Sequence, residues 1–270
     1  VSRDWSSDVC SSDLMSENIL YGVDSGIATI TFNRPKVYNA LDPDTIVLFR
    51  AICERAEQDA SARVVIMRGA GAAFVAGGDV ASFKERLATF SRDIVGMAGE
   101  FHRGILALRR ARKPVIASVH GAVAGGGMSI MLASDLIIAA EGTQFNMAYS
   151  RIATSPDGGS SWFLPRLIGY QKAMELLLLA ESVDATQMQM MGVVNRVVPL
   201  AELDTATAKL ARELAAGPAT AYAETKAMVN SSINQMLTEH LDAEALAFSR
   251  CAAQPDFARS EEHTSELQSR

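Results

Sequence analysis

Apolar and polar residues alternate over 19–23 and again over 27–32, on either side of Asp24-Ser25-Gly26. A period of two around such a turn predicts a β-hairpin, which Asn33-Arg34-Pro35 then ends. Beyond it the period changes. Ile46, Phe49, Ile52 and Ala56 recur at helical spacing behind Asp42 and Pro43, a capping residue and a first-turn proline, so a helix is predicted over 43–58. Residues 63–67 (RVVIM) are apolar on both faces, as in a strand buried inside a parallel sheet. A helix over 82–88, a looser stretch to Arg92 and a longer helix over 93–111 follow, the last stopping before Pro114. Strands are predicted over 114–119 and 135–139, with a helix start at 128–134 between them. Helices over 160–169 and 171–180 and a short strand over 193–198 lead to a stretch that reads as helix only: 203–216, 218–230 and 234–252.

Strand, small-residue loop and helix thus occur twice, once around Ala76 and once around Gly126. Parallel strands joined by right-handed helical crossovers are the economical architecture, an α/β class, with a boundary near residue 202 where the pattern turns all-helical. Gly125-Gly126-Gly127 need a reason, since each costs chain entropy and weakens a helix. One reading is close approach of a ligand oxygen to bare N–H groups at a helix N-terminus. The other is helix–strand packing that tolerates only small residues, and the stretch alone leaves both open.

Composition narrows the function classes. The chain has 270 residues, enough for one large core, and no apolar run of about 18 or more that would predict a membrane span. No secretory leader is read at its start, so a cytoplasmic location is expected. Asp4 to Leu14 and Arg259 to Ser269 can be encoded by the two strands of one DNA segment, so 1–14 and 259–270 are read as adapter-like, non-native flanks. Met15 then reads as a natural start, 15–202 as the core and 203–258 as a helical region cut short of its natural end. Removing the flanks' 3 basic and 6 acidic residues leaves 22 basic and 25 acidic, a mild acidity that argues against nucleic acid. Cys53 and Cys251 are too few and too distant for a disulfide framework, and His102, His120 and His240 stand singly, so no metal site is expected.

Four motifs in order make the pattern specific: Asn33-Arg34-Pro35-Lys36 with Asn39-Ala40-Leu41, Phe74-Val75-Ala76-Gly77-Gly78-Asp79, Gly121-Ala122-Val123-Ala124-Gly125-Gly126-Gly127, and Ser155-Pro156-Asp157-Gly158-Gly159. Together they resemble the crotonase superfamily, also called the enoyl-CoA hydratase/isomerase family, over about residues 19–258. The resemblance implies a spiral of ββα turns with a C-terminal helical oligomerisation region, assembled as a homotrimer or a dimer of trimers. It implies an acyl-CoA thioester substrate, with coenzyme A as part of that substrate and no separate cofactor; on the charge and the apolar runs above, no nucleic acid or membrane partner is expected. Matched onto this chain, the thioester oxygen would sit between the backbone amides of Ala76 and Gly126, and the contacts to the CoA ester would come from Lys36, Tyr38, Gly77, Gly78, Asp79, Val80, Gly125 and Tyr149.

The two glutamates of the family's hydratases would match Ser129 and Tyr149, neither of them a carboxylate. Asp157 matches the position where double-bond-shifting members carry a single aspartate. One carboxylate suffices to move a proton from the carbon beside the thioester to a carbon further along, whereas hydration must add both parts of water. The expected activity is therefore enoyl-CoA isomerisation, in fatty acid metabolism. The alternatives are a dehalogenase- or hydrolase-like enzyme with Asp157 as nucleophile, or a non-catalytic acyl-CoA binder. Pro-Asp-Gly is also an ordinary turn signal. Tyr149 could line the acyl pocket, hydrogen-bond the carboxylate or simply be half-buried. Arg34 and Lys36 could meet phosphates or be merely solvated, Asp79 reads rather as a holder of its own loop, and His120 as a packed imidazole.

Overall fold

The computed structural model describes residues 17–84 and 87–257, so the proposed flanks at 1–14 and 259–270 lie outside the described residues. Strands β1 (Ile19–Asp24) and β2 (Ile27–Phe32) form the hairpin. Ser25 and Gly26, at φ 51° and 77°, turn it in the left-handed conformations that match the twist of the strands. Helix α1 (Pro43–Gln58) starts where Asp42 accepts a hydrogen bond from the N–H of Thr45 at 2.8 Å. It is followed by β3 (Val64–Gly69), α2 (Val80–Lys84), α3 (Leu87–Arg110), β4 (Val115–Val119), β5 (Ala122–Ala124), α4 (Gly126–Leu132), β6 (Leu136–Ala140) and β7 (Gln144–Asn146). The chain continues through α5 (Ser160–Ile168), α6 (Tyr170–Leu179), β8 (Val183–Asp184), α7 (Ala185–Met190), β9 (Arg196–Val198), α8 (Leu203–Ala216), α9 (Ala219–Ser232) and α10 (Leu237–Ala252).

Among the described residues, six strands form one sheet in the order β1-β2-β3-β4-β6-β9, parallel except for the hairpin. A small second sheet, β5-β7-β8, is set beside it. The pleat of the large sheet divides its side chains between two cores. Val65, Met67, Val115, Ala117, Val119, Ile137 and Ala139 face the main core with Phe49 and Ile52 of α1 and Leu108 of α3. Val64, Ile66, Ile116, Ile138 and Ala140 face a second core closed by Leu203, Leu210 and Ala211 of α8. The strands are buried on both faces for this reason, and α8 belongs to the same packed body as the strands before it. Helices α8, α9 and α10 follow β9 without a break in packing.

Two differences from the sequence reading bear on the site. The long helix starts at Leu87 and contains the stretch read as looser, although its buried residues, Phe101, Ile105 and Leu108, lie in its second half. The three-residue strands β5 and β7 and the two-residue β8 were not legible as periods, yet β5 carries the chain into α4 and is paired with β7.

Candidate active site

Two loops and a turn meet at a cavity of about 600 Å³, lined by Leu41, Ile46, Val80, Ile94, Met97, Ala98, Phe101 and Ile152 on its apolar walls. Ala76, Gly77, Gly78, Gly125, Gly126, Tyr149 and Asp157 line its polar side. Most of the candidate residues are therefore in one place.

The loop after β3 is knitted by Asn39, whose amide donates to the carbonyls of Ala70, Ala73 and Phe74 at 2.8–3.0 Å. Val75 bridges to Val123 and Gly78 to Leu41, so this loop lies alongside the chain before α1 and the strand that leads into α4. Leu41 donates to Gly77 O at 2.8 Å, and Asp79 donates to Leu41 O at 2.9 Å. In a parallel bridge of that kind the middle residue's own N–H points the other way. That leaves the Gly78 N–H without a protein acceptor among the described residues.

The donor expected at Ala76 has to be corrected. Its N–H is committed to Tyr38 O at 3.0 Å, which removes it from reach of a ligand oxygen. Gly78, two residues on, keeps an N–H without a protein acceptor among the described residues, and it lines the same cavity as Gly126.

Gly126 is the first residue of α4, where the N–H has no intrahelical acceptor, and it too has no partner among the described residues. Both readings of the glycine run hold, for different glycines. A Cβ on Gly127 would stand 2.1 Å from Val75 O, so Gly127 serves packing. Gly125, at φ 48°, has only Gly77 Cα nearby at 3.6 Å and leaves backbone open to the cavity.

The third contributor is the turn before α5. Gly158 and Gly159 both have positive φ, and a Cβ on Gly158 would meet the Phe101 ring at 2.4 Å and Ser129 Cβ at 2.6 Å. The Asp157 carbonyl accepts from Ser129 Oγ at 2.8 Å and Ser160 Oγ at 3.1 Å, which fixes the main chain. Its side chain turns to the cavity, where Oδ1 accepts from the Tyr149 hydroxyl at 2.6 Å. Ser129 Oγ lies 3.1 Å from the same hydroxyl. Burial, then the Asp157 charge, raise the Tyr149 pKa well above the ordinary phenol value, so the phenol stays protonated.

His102 was given no part in the sequence reading, yet its Nε2 accepts from the Gly158 N–H at 3.2 Å and so buttresses this turn from α3. The remaining candidates are placed differently. Arg34 is engaged with Asp42 at 2.7 Å and Asp79 at 3.2 Å, and Asp79 also accepts from the Ser82 N–H at Oδ1 and from the Ser82 hydroxyl at its carbonyl, so both hold their loops. Val80 is on the wall, whereas Lys36 and Tyr38 are exposed and stand outside the lining. His120 bonds Gly71 O at 2.8 Å, a structural contact. Among the described residues no three His, Cys, Asp or Glu stand together as metal ligands would.

Comparison with known proteins accords with this arrangement. The family model described as enoyl-CoA hydratase/isomerase matches residues 22–266. A 1,2-epoxyphenylacetyl-CoA isomerase of Escherichia coli strain K12 is 34% identical over 232 residues, which cover 85% of this chain and 88% of that protein. A 4-chlorobenzoyl coenzyme A dehalogenase of an Arthrobacter species is 32% identical over 219 residues, covering 80% and 79% respectively. The crystal structure of an enoyl-CoA hydratase from Polaromonas sp. JS666 superposes with a TM-score of 0.86 at 30% identity, covering 93% of this chain and 97% of that one. Likeness alone thus spans three chemistries, and the side chains in the cavity must discriminate among them.

Proposed function

Since the chain belongs to the enoyl-CoA hydratase/isomerase family, we propose that its cavity binds an acyl-CoA thioester and that the protein shifts a double bond from the 3 to the 2 position of the acyl chain. One observation carries this reading. Asp157 is the one carboxylate among the described cavity-lining residues, and the family's two-carboxylate positions hold Ser129 and Tyr149.

In this mechanism the thioester oxygen accepts from the N–H groups of Gly78 and Gly126. The Asp157 carboxylate takes a proton from the carbon beside the thioester, and the electron pair spreads over the dienolate to the oxygen. Two fixed donors stabilise that developing charge, each by about 3 kcal/mol in a dry site. Asp157 then returns the proton two carbons further along, leaving the conjugated 2-ene. Hydration would need a second group to deliver or activate water. The Tyr149 phenol, its pKa raised by burial and by the Asp157 charge, is a poor acid for that purpose.

Coenzyme A enters as part of the substrate. Tyr38, whose carbonyl holds the Ala76 N–H, and the exposed Lys36 two residues before it are the candidates to meet it outside the cavity. The exposed Val229 of α9, Ile233 just after it, and Leu237, Leu241 and Phe248 of α10 support association with other copies, which we read as a homotrimer or a dimer of trimers.

The test is a panel of 3-enoyl and 2-enoyl CoA thioesters turned over by the wild type and by Asp157→Asn. The expected result is isomerisation by the wild type and a loss of 100-fold or more in the variant, by about the scale of a missing catalytic base, with thioester affinity retained. Binding without wild-type turnover would contradict the proposal and leave a binder.

A second reading has one observation in its favour, the likeness to a 4-chlorobenzoyl coenzyme A dehalogenase. There the open oxygen of Asp157 would attack the substrate, expel a leaving group and form an ester that water cleaves. A single turnover in heavy-oxygen water would then mark Asp157, whereas proton transfer leaves it unlabelled.

A further inference from the structure

The carboxylate of Asp157 is held asymmetrically. Oδ1 accepts the Tyr149 hydroxyl at 2.6 Å, while Oδ2 has no hydrogen-bond partner among the described residues. The fully buried Ser129 of α4 backs the phenol from another element, its Oγ 3.1 Å from the phenol oxygen. Ser129 Oγ donates its one hydrogen to the Asp157 carbonyl oxygen at 2.8 Å, so it holds the backbone of the acid while packing against the phenol. The phenol has a single hydrogen, and the contact to Oδ1 uses it.

From this geometry we infer that Tyr149 is a positioning residue, which pins Oδ1 of Asp157 while Ser129 holds the backbone beside it, and which leaves Oδ2 as the one oxygen that carries the proton. The inference rests on the isomerase reading above. A carboxylate held by one oxygen cannot rotate about its terminal bond, so the carrier atom keeps its direction between taking the proton and returning it. Orientation of this sort is worth much in rate, since a misplacement of about 1 Å can cost about 100-fold. Pinning also alters the fate of the proton. A proton on the pinned carboxylate's open oxygen is returned to the substrate that supplied it before the group can turn and exchange with water.

The experiment uses a 3-enoyl-CoA deuterated beside the thioester, with the wild type, Tyr149→Phe, Ser129→Ala and Asp157→Asn. It reads kcat, KM and, in single turnovers in light water, the deuterium recovered at the carbon two further along. Tyr149→Phe, which keeps the ring, is expected to lower kcat about 10- to 100-fold with KM changed less than about twofold, and to reduce the recovered label. Ser129→Ala should move both readouts the same way by less. The inference fails if Tyr149→Phe turns over and retains label like the wild type, if its loss lies in KM alone, or if the wild type transfers no label. Turnover surviving in Asp157→Asn would instead overturn the isomerase reading itself. Unchanged Tm values show that neither neighbour variant acts by unfolding.

Discussion

Gly126 sits at the first helical position of α4, where proline is well tolerated because the N–H lost has no helical acceptor. The pair Gly126→Ala and Gly126→Pro therefore separates a crowded cavity from a missing donor. Alanine keeps the N–H and presses only on Leu41 Cδ1, 3.2 Å from its Cβ, so a loss below about tenfold is expected. Proline removes the N–H and should lower kcat by about 100- to 1000-fold, the cost of one oxyanion donor. Equal losses in both variants, measured as kcat on a 3-enoyl thioester, would show that the donor plays no part. Tyr149 gives a spectroscopic check at the same scale. With its pKa raised by burial and by the adjacent charge, the ultraviolet phenolate titrations of the wild type and Tyr149→Phe should coincide up to about pH 11, above the ordinary phenol value near 10. Much of the site was legible at this scale because Asp157, Gly126 and Tyr149 differ chemically from their neighbours. Ala76 shows where letters stop helping. Which of several adjacent amides is spent depends on what Tyr38 and Leu41 accept or donate across the loop, and no spacing reveals that. His102 gave no signal either, since a lone imidazole on a helix does not announce a partner 56 positions away.

At the scale of elements, α4 is seated by the absence of side chains along its first turn. Gly127→Ala would drive a Cβ to 2.1 Å from Val75 O and 2.9 Å from Val75 Cβ, neither of which is a flexible chain end. The helix must then back away from the loop that carries Gly78, at a cost of about 1–3 kcal/mol. Thermal melts should show Tm lower by about 2–10 °C, with kcat falling as well because Gly126 moves with the helix. An unchanged Tm would mean that this contact relaxes without strain. The elements readable from the chain were those long enough to repeat a period. Helix α1 has the predicted bounds 43–58, because cap, proline and apolar stripe agree. The strands β5, β7 and β8 have three residues or fewer, too short for any alternation to register, and their existence follows from β5 pairing with β7 in space. The start of α3 was misplaced because the exposed residues over 91–93 carry no apolar period, although the helix runs through them.

For the molecule as a whole, charge ties the last helices to the sheet. Lys226 of α9 is paired with Asp135 at 2.7 Å and donates to Leu108 O at 2.9 Å, while Glu224 accepts from Arg112 and from Arg250 of α10. Hydrogen bonding from Arg250, then from Arg112, holds the Glu224 carboxyl down at about 2 against an ordinary 4.5. A folded-state value below the unfolded one means that this contribution is complete above about pH 4.5 and is lost as pH falls toward 2. Glu224→Gln should thus lower Tm by about 3 °C at pH 7, a modest effect because both arginines reach solvent, and the gap to the wild type should narrow below about pH 4.5 and close only near pH 2. A gap independent of pH would assign the loss to packing. The exposed apolar row on α9 and α10 belongs to this scale also: light scattering of Phe248→Glu should show a smaller species than the wild type if these helices meet another copy. The claim that joins site, elements and molecule is that one acid facing two bare amides moves a proton without adding water. The most direct measurement is the mass of the product formed from a 3-enoyl-CoA by the wild-type protein, together with the ultraviolet absorbance of the conjugated thioester. Unchanged mass with rising absorbance is the expected result; a product heavier by one water would contradict it.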